Sequence, residues 1–88
     1  MKEAAYATAQ QLLDALRADQ DHPGKAAAID HAEHLQRAVH AFHMEGVRFR
    51  SYTLHRMLTQ DQAGFGDASR QAYEALRRAL EAIGLATK

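Results

Sequence analysis

The chain predicts an all-α fold, and three observations carry that expectation. Alanine is the commonest residue, and it enters a helix without losing side-chain entropy. Only one proline, Pro23, stands in the 88 residues to interrupt backbone bonding. No window alternates apolar and polar residues through a β-branched run, as a half-buried strand would. The periodicity resolves into three helices with a long central one, about 25–59, assembling as a dimeric helical bundle. The alternative is a four-helix bundle broken near Gly46. Residues 1–88 make a single domain.

The first helix is expected over about residues 3–19. Tyr6, Ala9, Leu13 and Leu16 recur there at spacings of three and four, with Leu12 beside them. Asp21-His22-Pro23-Gly24 ends it, because proline disfavours helix in the residue before it and glycine tolerates the turn. The second helix then runs from Lys25 to Thr59, about 52 Å at 1.5 Å per residue. Ala28, Ala32, Leu35, Val39, Phe42, Gly46, Phe49, Thr53 and Met57 fall on one stripe of it. Ile29, Val47, Leu54 and Leu58 form a second stripe. A lone glycine costs only about 1 kcal/mol against alanine, so Gly46 is read as continuing the helix. Ala63 to Asp67 is the second loop, with Asp67 the expected N-cap. The third helix spans about 68–83. Ala72, Leu76, Ala79, Leu80 and Ile83 face inward, and Gly84 caps its end.

A chain of this length hides only about 60–65% of its unfolded surface as a monomer. It has no cysteine, so neither disulfides nor thiolate metal sites can add stability. A partner chain is the expected remedy. The seam through Leu35, Val39, Phe42 and Phe49 is the expected interface, giving a homodimer or a complex with another protein. The N-terminal residues show no apolar leader, and no stretch approaches the roughly 20 apolar residues of a membrane span. A cytoplasmic protein with no membrane contact is expected. Net charge is zero but unevenly placed. Residues 1–45 hold four Lys/Arg against seven Asp/Glu, and residues 46–88 hold seven against four. That asymmetry suits an acidic half meeting a basic half across a dimer.

Five of the six histidines fall between residues 31 and 55. His31 and His34, and His40 and His43, stand three apart, over one another on a helix. Each pair is a candidate for two metal ligands, which would suit Zn, Ni or Cu with a carboxylate or second subunit completing the set. The plainer expectation is that no cofactor is required. His40 and His43 then pack at a helix interface, while His31 and His34 are solvated.

Arg48, Arg50 and Arg56 are candidate anion-binding residues, interleaved with Phe49 and Tyr52 in a stretch without acids. On a helix they diverge by about 80–160°, which argues against a nucleic-acid surface. Within this stretch, Arg50-Ser51-Tyr52-Thr53-Leu54-His55 resembles the Arg-x4-6-His motif of HEPN-type ribonucleases, which are small helical dimers. The resemblance implies Arg50 and His55 as a catalytic pair. That family usually carries Asn, Asp or His directly after the arginine, where this chain has Ser51. The short-long-short layout also resembles small copper-sensing helical repressors, but the cysteines through which those bind metal are missing here. No phosphate loop and no nucleophile with a local base is present, so no catalytic residues are expected. The expectation is a small, non-enzymatic helical binding or regulatory module.

Overall fold

The computed structural model describes residues 2–61 and 64–85, with side chains described through Thr59 and again from Gly64. Helix α1 spans Lys2–Ala18, α2 Lys25–His40, α3 Met44–Arg56 and α4 Asp67–Ala82. A π-helical turn, Met57–Asp61, extends α3. The described residues contain no strand, and no helix of theirs is long and apolar enough to cross a membrane. Helices α1 and α4 begin and end within one residue of the expected positions. The long central helix does not form, and the four-helix alternative is the one observed.

The break comes at Ala41-Phe42-His43, not at the glycine. Phe42 adopts a left-handed backbone, with φ of 54°. The His43 amide donates to the Ala38 carbonyl at 2.8 Å, and the Phe42 amide to the Val39 carbonyl at 3.1 Å. This is the Schellman arrangement that closes a helix with a left-handed residue, a place glycine usually takes. Gly46 has a different use. A Cβ on it would sit 2.7 Å from His43 Nδ1 and 3.1 Å from Ala38 Cβ. Its bare backbone lets the first turn of α3 lie close against the last turns of α2.

The reversal changes which stripe is buried. In α2, Ala28, Ala32, Leu35 and Val39 face the core of the single chain. In α3 the main stripe of a continuous helix would have buried Phe49. Instead Val47, Ser51 and Leu54 turn inward, and Phe49 faces out. The centre of the molecule is α1, packed against both α2 and α4. Ala5, Ala9, Leu12, Leu13 and Leu16 are its buried face. Tyr6, expected inside, is exposed. In α4, Ser69, Tyr73, Leu76 and Leu80 are buried, while Ala72, Ala79 and Ile83 are only partly covered. Each fully buried leucine contributes roughly 1.5–3 kcal/mol by leaving water.

The N-terminus of α4 is capped from across the fold. Asp19 Oδ2 accepts from the Gly66 amide at 2.9 Å and from the Ser69 hydroxyl at 2.9 Å. Chiefly because of the Gly66 bond, the Asp19 carboxyl is held below its ordinary value. Asp67, the expected N-cap, is instead the first helical residue and lies near Arg70. Sequence spacing could not find a cap contributed from 47 residues away.

Candidate functional site

The reversal at Phe42 brings two short stretches face to face. His34, Arg37, Ala38 and Ala41 lie along one side of α2 and its exit. His43, Gly46, Phe49 and Arg50 lie along the facing side of α3. Between them runs a groove of about 390 Å³. Ala38, Ala41 and Gly46 are small enough to form a floor. Two guanidinium groups and two imidazoles rim it, Phe49 gives it an aromatic wall, and no carboxylate lines it.

Arg50 is the best-fixed member. Its Nη1 donates to His31 Nδ1 at 2.8 Å and lies 4.0 Å from the Asp30 carboxylate. Its guanidinium carbon stands 5.1 Å from the Phe49 ring centre, within cation–π range. Arginine can only donate, so His31 Nδ1 must accept and the His31 ring is neutral. Burial first, and then the Arg50 charge, hold His31 below the ordinary histidine value. The His34 Nδ1 is 2.8 Å from the Asp30 carbonyl oxygen, which can only accept. His34 Nδ1 therefore carries the proton, and its Nε2 is left as an acceptor in the neutral ring. Arg37 makes no ion pair among the described residues.

The other candidate residues separate. His40 and His43 are both exposed, contrary to the expected packing. His40 lies beside Tyr6, with ring centres 5.7 Å apart, while His43 turns to the groove on the far side of the Phe42 reversal. His31 and His34, both expected in solvent, are half-buried instead. Among the described residues, no group of three or more His, Asp or Glu stands together so as to hold a metal ion. Leu35 and Val39 are completely buried within a single chain, so they serve its own core and not an outer seam. Phe42 and Phe49 are 49% and 58% exposed.

Arg50 and His55 do not meet. Arg50 turns toward α2, while His55 turns toward α4, its ring 6.0 Å from that of Tyr73. Five residues on a helix put two side chains about 140° apart, which accounts for the separation. Arg48 and Arg56, by contrast, share the outer face of α3 with Phe49 and Tyr52. The Arg56 guanidinium carbon lies 6.0 Å from the centre of the Tyr52 ring.

Sequence reasoning missed Arg37. The signal was present, since residues 34, 37, 38 and 41 share one helical side. It acquires meaning only once the chain reverses and faces that side with α3. A second cavity, about 320 Å³, lies by the π-helical turn and is lined by Leu58, Thr59, Arg70, Tyr73 and Glu74. Burial pushes the Tyr73 hydroxyl up to about 12, so it stays protonated, and it donates to the Ser51 carbonyl at 3.3 Å. That makes Tyr73 a structural strut between α3 and α4. No protein-family model matches the chain, and comparison with curated proteins and with solved structures gives no match either.

Proposed function

We propose that the protein is a small helical binding module without catalytic activity, working as a homodimer and receiving an anionic group in the groove between α2 and α3. One observation carries this reading: Arg37, Arg50, His34 and His43 surround a floor of small residues with no carboxylate in the lining. Arginine forks match carboxylate and phosphate oxygens, and Arg37 brings a guanidinium without an ion-pair partner among the described residues, while Arg50 has Asp30 4.0 Å away behind the groove. Arg50 is already oriented by His31, so little side-chain entropy remains to be lost on binding. The homodimer is supported by the outer side of the reversal and α3. Phe42, Met44, Phe49 and Tyr52 are four of the five large apolar side chains left exposed on the described surface.

The test is an NMR titration of the amide spectrum with inorganic phosphate and, separately, with benzoate. Binding in the millimolar range or tighter should move the amides of Arg37, Gly46 and Arg50. Arg37→Gln with Arg50→Gln should remove those shifts. No saturable change at about 20 mM of either probe (weaker than the range of ordinary small-ligand sites) would overturn the groove assignment.

A second reading has one observation in its favour. Arg48 and Arg56 share an exposed face with Phe49 and Tyr52, and arginine with aromatics is the chemistry that binds single-stranded nucleic acid. A gel shift with single-stranded RNA that weakens as salt rises would support this reading in place of the first.

A further inference from the structure

We propose that the outer face of α3 is self-complementary and pairs with a second copy in antiparallel register, Phe49 against Tyr52 and Glu45 against Arg56. The inference rests on the homodimeric reading above and names its geometry. At about 100° per residue, Glu45, Arg48, Phe49, Tyr52 and Arg56 fall within about a 100° arc of α3. All five are exposed. Val47, Ser51 and Leu54 lie on the opposite side, buried against the rest of the chain. The face is therefore available in the folded monomer.

Its order along the helix matters more than its composition. A two-fold axis crossing α3 between Arg50 and Ser51 exchanges positions equally far from it. Phe49 and Tyr52 are equidistant from that point, and so are Glu45 and Arg56. Two copies crossing there would set each Phe49 ring on a Tyr52 ring at the centre. They would set each Glu45 carboxylate by an Arg56 guanidinium at the two ends, about 8 Å from the centre along the axis. The position exchanged with Arg48 is Thr53, which lies about 140° around the helix and outside the arc, so Arg48 stands at the edge of the seam.

The charges are free to do this. Neither Glu45 nor Arg56 makes an ion pair among the described residues. The outer charges of α4 contrast with them. Arg77 is paired to Glu74 and to Glu81, and Arg78 also lies near Glu74, so that face is satisfied within its own helix. Aromatic residues and arginine are also the types most enriched at the centres of protein interfaces. A seam made by one helix of 13 residues from each copy is small, so the dimer is expected to be weak, with dissociation in the micromolar range.

The test uses two charge reversals and their mixture in sedimentation equilibrium. Glu45→Arg alone places like charges at both ends of the seam, and so does Arg56→Glu alone. Each variant should dissociate at least about tenfold more readily than the wild type. Mixed together, the two variants restore an opposite pair at both ends. The mixture should form a heterodimer with near wild-type affinity, which no structural damage to either variant could produce. Circular dichroism of each variant checks that the helices are intact. Dimerisation by either single variant as tight as the wild type, or a mixture that stays monomeric, would overturn the seam while leaving the homodimer standing. A wild type that remains monomeric at about 1 mM would overturn both.

Discussion

At the C-terminal end of α4, Gly84 turns the chain through a left-handed conformation, with φ of 83°. The Leu85 amide reaches back to the Leu80 carbonyl at 2.9 Å, and the Gly84 amide to Glu81 at 3.0 Å. At the end of α2, Phe42 makes the same turn with the same pair of bonds. Glycine has no Cβ to clash there, while an L side chain meets the carbonyl at a cost of about 1–2 kcal/mol. The α4 end is closed by local preference. The α2 end is held by what surrounds it. Lys2 Nζ donates to the His40 carbonyl at 2.5 Å and lies 5.4 Å from the Phe42 ring centre. Gly46 admits α3 to close packing, and Val47 and Leu54 bury themselves once it is docked. A helix end that local preference would not choose is imposed by tertiary contacts, and the groove is the product of that imposition.

Removing the docking contacts should break the contrast most severely. Leu54 is completely buried. Leu54→Ala should cost about 2–5 kcal/mol of stability, measured by urea unfolding. Phe49→Ala, on the exposed side of the same helix, should stay within about 0.5 kcal/mol at concentrations where the protein is monomeric. A reversed order would mean that α3 packs by its other face.

Exchanging the turn residues is gentler. A Cβ at Gly84 meets nothing within 4 Å, so Gly84→Ala isolates backbone strain. It should destabilise by about 1 kcal/mol. Phe42→Gly should act in the opposite direction and stabilise by up to about 1 kcal/mol, reduced by the lost Lys2 contact and by the freer unfolded chain. Thermal melts of the two variants should shift in opposite directions. A destabilised Phe42→Gly would show that the aromatic contact outweighs the strain.

The smallest effect is one of pH. His31 is held below its ordinary value of 6.5 in the folded chain, so the unfolded chain binds this proton more readily. The stability due to neutral His31 is complete above about 6.5 and declines as pH falls below that, until the folded ring is protonated as well. Between pH 7.5 and 5.5 the wild type should lose more stability than His31→Gln. An NMR titration that finds the His31 value raised would reverse the sign and contradict the acceptor role.

Much of the fold was legible in the chain. The ends of α1 and α4, the Gly84 cap and the buried stripe of α2 follow from spacing and turn chemistry. The Phe42 reversal was not legible, because phenylalanine gives no local signal for a left-handed turn and Gly46, four residues on, is the residue that looks like a breaker. That one error of phase placed Phe49 inside and treated Leu35 and Val39 as an outer seam. The site was legible only in pieces. Arg50 and His34 were singled out for charge and spacing, but their meeting depends on the reversal. The Asp19 cap joins residues far apart in the chain, so no local pattern announces it.

The reversal itself can be measured with two spin labels, since the chain has no native cysteine to interfere. Ala26→Cys and Arg56→Cys place labels on exposed positions at the far ends of α2 and α3. If the two segments formed one continuous helix, the labelled backbone positions would stand about 45 Å apart. The folded chain measures only 33 × 19 × 17 Å, so pulsed electron resonance should find a distance well short of that. A population centred near 45 Å would show that α2 and α3 run straight through Phe42, and the groove between them would not exist.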